Sequence, residues 1–221
     1  MSSLGLFPLL VAFSALLCMV AAECNEEEAQ DFLYEYNPLA EVATSGYLLA
    51  GWDYSTNITQ HNLDILEDEA VNLAYFSKNA AKGANNFTTC LDEYSEMVAR
   101  ELEFITDIGD AILDAEDFAH LQGVLTNMSL LYSTGEVCKP DDSTDCYAKD
   151  PYLDDIMANS RNYNELLWVW TKWRDDVGRP MRPLYVDYVY LKNKASMLNG
   201  HGDLGSSNTD ISSSEKTRFK M

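Results

Sequence analysis

The sequence predicts an all-α protein, and three observations carry that prediction. Apolar residues recur at alternating spacings of three and four through most of the chain, which gathers them on one face of a helix. No stretch of comparable length alternates with the period of two that a strand requires. Helix caps and stops fall where the periodic segments begin and end. Hydrophobic residues make up 47% of the 221, enough for one sizeable core and too many for wholesale disorder despite a net charge of −21.

The first helix reads from Glu26 to Trp52. Phe32, Leu33, Tyr36, Leu39, Ala40, Ala43 and Tyr47 share a face, and Glu26, Glu27 and Glu28 suit the positive end of the helix dipole. Pro38 is expected to kink or break it, because proline removes a backbone donor and clashes with the preceding turn. A second helix runs from about Gln60 to Ala81, capped by Thr59 and stopped by Lys82-Gly83. A third runs from Cys90 to Ile108, with Thr89 and Asp92 spaced as a capping box. The fourth opens at Asp114, carries Phe118, Leu121, Val124 and Leu125, and stops at Ser133-Thr134-Gly135.

After a turn-rich loop, residues 162–177 place Leu166, Leu167, Trp170, Trp173 and Val177 on one face, and Gly178 ends that helix. Pro180 suits the first turn of the next, which repeats Leu184, Tyr188, Leu191, Ala195 and Leu198 before Asn199-Gly200. These two helices read as an αα-hairpin. From His201 to Met221 the chain is Ser- and Gly-rich without periodicity and reads as a disordered tail. The organisation is thus a leader over 1–22, a helical domain over 23–200 and a tail over 201–221.

Met1–Ala22 has the marks of a secretory signal: an uncharged apolar run over Leu4–Val20, then the small residues Val20-Ala21-Ala22. A spanning helix needs about 20 unbroken apolar residues, and Pro8 interrupts this one. No other segment is apolar enough to cross a membrane, so a secreted, extracellular product is expected. Cys18 leaves with the signal. Cys24, Cys90, Cys138 and Cys146 remain, an even set that implies two disulfides with three possible connectivities. Cys138 and Cys146 flank a short turn-rich loop and suit local pairing, which leaves Cys24 with Cys90 by elimination. Asn57-Ile-Thr, Asn86-Phe-Thr and Asn127-Met-Ser are glycan acceptor sequons in keeping with secretion, and use of Asn127 requires an exposed helix face. The acidic balance argues against nucleic acid or an anionic membrane as partner.

Chemistry is hard to find. His61, His120 and His201 are far apart, and no His-Glu-x-x-His exists for a helical zinc site. Glu116, Asp117 and His120 are one partial copy of a pattern that carboxylate-bridged metal bundles repeat on several helices, and they read as an exposed capping region. No nucleophile elbow, phosphate-cradling loop or EF-hand spacing occurs. Asp141, Asp142 and Asp145 read as a solvated turn. Of three neighbouring tryptophans, Trp170 and Trp173 read as core and Trp168 as partly turned away.

Identity is clearer than chemistry. Ile156-Met-Ala-Asn-Ser-Arg161, Asn162-Tyr-Asn-Glu-Leu-Leu-Trp168, Trp170 and Trp173-Arg174 resemble the angiotensin-converting enzyme family of zinc peptidyl-dipeptidases and carboxypeptidases. The resemblance continues through Arg182-Pro-Leu-Tyr185, Tyr188-Val189 and Leu191-Lys-Asn-Lys-Ala195 to Leu198-Asn-Gly200. Tyr132-Ser-Thr-Gly135, Val137-Cys138 and Cys146 resemble the family's disulfide-bearing loop, and Trp52 through Thr59 its early sequon motif.

This resemblance implies a two-lobed helical peptidase whose first helices form a lid over a deep cleft. It also implies zinc held by a His-Glu-x-x-His helix and a downstream Glu, and a bound chloride. Neither ligand set has a counterpart here, and Thr171 stands where relatives carry a Glu bordering the substrate pocket. Residue by residue, only Cys138 with Cys146 and Asn57 carry over. The expectation is a secreted, truncated family product that is non-catalytic by itself, with no cofactor of its own. The rival is an extracellular module that binds peptides or a protein, with self-association through apolar faces left uncovered.

Overall fold

Asn25 opens the first helix by accepting a hydrogen bond from the Glu27 N–H at 3.1 Å, and α1 then spans Glu26–Thr56. This computed structural model describes residues 24–209, so the leader expected over 1–22 and residues 210–221 of the expected tail lie outside the described residues. Against expectation, α1 runs unbroken through Pro38. Pro38 is exposed and Tyr34, one turn earlier, is 82% exposed. The Tyr34 carbonyl that loses its donor to proline therefore faces water, which removes most of the penalty.

Thr59 caps α2, Gln60–Ala84, by accepting from the Asn62 N–H at 3.2 Å. The buried residues of α2 are all alanine: Ala70, Ala74, Ala81 and Ala84. The third expected helix divides in two. A 3₁₀ turn over Thr88–Glu93 is followed by extended Tyr94 and Ser95, and only then by α3, Glu96–Thr106. Two links to the start of α1 impose the break. Cys90 is bonded to Cys24, and Ser95 Oγ donates to Glu26 Oε1 at 2.5 Å. The Ser95 hydroxyl also holds the Glu26 carboxyl below its usual range. Thr89 and Asp92 lie inside the 3₁₀ turn, so they cap no α-helix.

A second 3₁₀ turn, Gly109–Ile112, leads to α4, Ala115–Ser133, where the Asp114 carboxylate accepts from the Asp117 N–H at 2.9 Å. The stretch read as a loop is instead a two-stranded antiparallel ribbon, β1 over Glu136–Lys139 and β2 over Asp142–Ala148. Val137 faces Tyr147 and Cys138 faces Cys146, to which it is bonded. Such short strands show too little alternation for a sequence to reveal. Here the ribbon is held by its disulfide and by the Trp168 indole N–H, which donates to the Cys138 carbonyl at 3.1 Å.

The last helices are α5, Asp154–Asn159, α6, Tyr163–Trp173, and α7, Arg179–Leu198. Between α6 and α7 lies one wide turn, Arg174–Gly178, closed by the Arg179 N–H on the Arg174 carbonyl. Gly178 (φ −70°, ψ −40°) and Arg179 (φ −65°, ψ −43°) keep helical angles, so the chain carries on rather than reversing. The expected hairpin is absent. Pro180 accounts for the widening, since it offers no N–H to the preceding turn.

α7 packs on α4 instead. Leu113, Phe118, Leu121, Leu191 and Ala195 meet Ala70 and Ala74 of α2 in one apolar cluster. A second cluster joins Ala29, Leu33 and Ala84 to Val98, Leu102 and Ile105. A third sets Val137 and Leu153 against Val169. Ion pairs brace the first cluster, Lys192 to Asp110 at 2.7 Å and Lys194 to Asp117, and His120 Nε2 lies 3.5 Å from Asp187 Oδ2. Residues 201–209, read as part of a disordered tail, form a docked helical turn over 204–209. The Leu204 N–H reaches Asn193 Oδ1 at 3.0 Å and His201 Nε2 lies 2.9 Å from Asp107. These polar anchors leave no apolar period to read.

Two outcomes follow from this packing. Leu121 is fully buried where α2, α4 and α7 meet, so Leu121→Ala should lower unfolding free energy by about 2–5 kcal/mol in urea titration. The Asp114 carboxyl is held below its ordinary value of 3.8, chiefly by the Asp117 N–H and further by Lys194. A depressed value in the folded state gives stability above the ordinary pKa that is lost as pH falls through the folded one. Acidification should therefore loosen the start of α4, and Asp114→Asn, a capping oxygen without charge, should remove that dependence. Hydrogen exchange of α4 amides against pH measures it.

Candidate functional site

Two of the concave regions among the described residues lie between helices. The first, about 590 Å³, lies where the ends of α3 and α7 meet the segment over 201–209. Gly109, at φ +53°, turns the chain between α3 and α4 and presents its carbonyl to Asn199. The Asn199 amide nitrogen donates to the carbonyls of Gly109 and Ala195, both at 2.9 Å, and so ties the end of α7 to that turn. Lys192 Nζ donates to both carboxylate oxygens of Asp110, at 2.7 and 2.9 Å. The Arg100 guanidinium sits 5.3 Å from the centre of the Phe104 ring. Asp107 thus faces the His201 imidazole and Asp110 the Lys192 ammonium, and these groups cross-brace helix ends.

The second region, about 460 Å³, is a groove between the C-terminal half of α1 and residues 122–133 of α4. Leu48, Trp52 and Ile58 form one wall, Leu66 of α2 contributes to it, and Leu125 and Leu130 of α4 face them. Trp52 is 68% exposed and Leu48 62%. No charged side chain lines the groove.

The residues singled out from sequence are placed separately. His61 is exposed in the first turn of α2, His120 pairs with Asp187, and His201 with Asp107. Asp117 is engaged by Lys194, so it does not join Glu116 and His120 as a ligand set. Among the described residues no group of three His, Cys, Asp or Glu is arranged to hold a metal ion. The donors present do not fit a zinc centre, which needs three protein ligands converging on one point. Asp142 accepts from the Thr144 hydroxyl and N–H, and those bonds hold its carboxyl low. Asp145 is held low chiefly by Lys139. These acids order the ribbon turn, as side chains that accept local donors do.

The tryptophans are distributed differently from expectation. Trp170, expected in the core, is 51% exposed and carries the Arg174 guanidinium on its face at 3.1 Å. Trp168 turns inward, edge-on to Tyr147 at 6.2 Å. Trp173 is half-buried against Tyr132. The buried face of α6 is therefore rotated toward Val169, because the ribbon packs there. Thr171 is exposed, and its hydroxyl donates to the Leu167 carbonyl at 2.7 Å. Asn57, Asn86 and Asn127 are all exposed. Neither Asp107, Asp110 and Lys192 nor the groove residues carry a local motif. Only long-range packing reveals them.

Comparison with known proteins gives the family. The family model described as angiotensin-converting enzyme matches residues 23–219, past Gly200 where the motif-by-motif resemblance stops. An angiotensin-converting enzyme of Theromyzon tessulatum is 39% identical over 183 residues, covering 82% of this chain and 30% of the relative. The angiotensin-converting enzyme-like protein Ace3 of Mus musculus is 37% identical over 82% of the chain and 24% of its own length. For the angiotensin-converting enzyme of Oryctolagus cuniculus the figures are 35%, 83% and 14%. The chain thus spans less than a third of the length of these relatives. No described helix is long and apolar enough to cross a membrane. With its helical architecture, its ribbon disulfide and this match over nearly all described residues, the chain belongs to the angiotensin-converting enzyme family and has the all-α fold of that family's N-terminal part.

Proposed function

We propose that this chain is a secreted, disulfide-bonded and N-glycosylated member of the angiotensin-converting enzyme family that hydrolyses no peptide by itself. The observation that supports the non-catalytic reading is the dispersal of its histidines. Each of His120 and His201 is paired with a separate aspartate, and His61 stands apart on α2. Zinc-dependent hydrolysis needs a ligand set that converges, so that one metal can polarise a carbonyl and activate water. The leader-like Met1–Ala22, the two disulfides and three exposed sequon asparagines support secretion.

A second reading, an extracellular peptide- or protein-binding module, is favoured by the uncharged groove between α1 and α4 and its exposed Trp52 and Leu48.

Expression of the full chain in a eukaryotic host tests both parts of the first reading. The protein should appear in the medium, and glycosidase treatment should lower its mass. Metal analysis should find zinc well below one per chain, and a dipeptide-releasing substrate should not be cleaved above the background seen with a chelator. Stoichiometric zinc with chelator-sensitive cleavage would overturn the non-catalytic reading. Retention of an unglycosylated chain inside the cell would overturn secretion.

A further inference from the structure

We infer that the groove between α1 and α4 is a docking site for a cationic amphipathic polypeptide segment of an extracellular partner. The inference deepens the binding reading and does not depend on whether the chain hydrolyses peptides. It starts from shape and polarity. Leu48, Trp52, Ile58, Leu66, Leu125 and Leu130 line an open trough of about 460 Å³ that no charged side chain enters. Ser55 also borders it, with its hydroxyl already donated to the Gly51 carbonyl at 2.7 Å. Gln122, Thr126, Ser129 and Ser133 add polar groups on the α4 side, and the apolar residues beside them suit aliphatic or aromatic anchors at helical spacing.

The rim decides the sign of the partner. Residues 41–77, whose α1 and α2 side chains line one side of the groove, hold six acidic residues: Glu41, Asp53, Asp64, Glu67, Asp68 and Glu69, and residues 118–133 of α4 hold none. Neither stretch contains Lys or Arg. An anionic segment, or a second copy presenting the same rim, would be repelled here. A segment with apolar anchors flanked by Lys and Arg would be attracted and then desolvated against the floor.

Of the sequon asparagines, Asn57 adjoins groove-lining Ile58 at one end of the trough, and Asn127 lies off it. Asn127 lies two residues before groove-lining Ser129, and a turn of 3.6 residues places those two on nearly opposite sides of α4. A glycan there would project away from the groove.

The test uses the purified full chain and a Leu/Lys amphipathic peptide of about five helical turns, titrated by calorimetry and tryptophan fluorescence. Saturable one-to-one binding is expected, weakened about tenfold or more by Leu48→Ser and by Trp52→Ala, as for central apolar anchors. Tyr34→Ala, which removes a still more exposed α1 aromatic outside the groove, should leave it unchanged, and circular dichroism should show all variants folded. A Leu/Glu peptide of the same pattern should not bind. Four results would overturn the proposal: no saturable binding, equal binding by the groove variants, equal binding by a Lys/Ser peptide of matched charge, or a chain dimer that Leu48→Ser dissociates.

Discussion

The buried face of α2 consists of Ala70, Ala74, Ala81 and Ala84, and the small size of that side chain governs how closely the neighbouring helices approach. α1 and α3 pack on one part of this stripe, and α4 and α7 reach another part through Leu121, Leu191 and Ala195. A helix whose buried positions contribute only methyl groups makes a thin core. Each neighbour then buries a narrow strip, and its bulkier apolar side chains fall outside the contact. Tyr34, Leu48 and Trp52 on α1, and Val71 and Tyr75 on α2 itself, are exposed for this reason. The thinness also explains why covalent and polar links are placed at the ends of the elements. The Cys24–Cys90 disulfide clamps the start of α1, a kind of cross-link that stabilises by about 2–4 kcal/mol. Lys192, Lys194 and Asn199 clamp the far end.

How much of this was legible follows from whether the deciding interaction is local. Thr59 and Asp114 were readable as caps because a capping oxygen bonds an N–H only three residues on. The fourth helix and the periodic face of α7 were readable for the same reason. Pro38 was misread because its cost depends on which face of α1 meets water, a tertiary fact. The break at Tyr94–Ser95 depends on Cys24 and Glu26, more than sixty residues away in sequence. The wide turn at Arg174–Gly178 has the same Gly and Pro that would end one helix and begin another. Only the packing of α7 on α4 shows that the chain continues.

The candidate site was less legible than the fold. Family motifs around Trp168 and Arg182 identify the chain but sit on scaffold, with Trp168 holding the ribbon and Thr171 bonded back to its own helix. Asp107, Asp110 and Lys192 look like ordinary surface charges in sequence, and become a brace only when α7 returns beside the α3–α4 turn. The groove is still harder to foresee. Its residues belong to three helices whose apolar positions would all be assigned inward by periodicity, and the alanine stripe leaves some of them outside.

The acidic surface and the exposed apolar floor are best understood together. An apolar trough on a neutral protein would invite any apolar surface, including its own copy. With a net charge of −21, approach of two copies brings like charges to the same rim, and the repulsion is strongest at low ionic strength. The charge therefore filters what the trough can meet and speeds encounter with a cationic segment, while apolar contact sets how long the segment stays. These two contributions separate experimentally. Salt should slow association with little change in dissociation, and loss of a floor side chain should do the reverse. Selectivity of this kind needs no pocket shaped for one ligand. It needs only that the floor be apolar, that the rim be of one sign, and that the helices carrying them be held in place, as packing on the alanines of α2 and the brace at the end of α7 hold them.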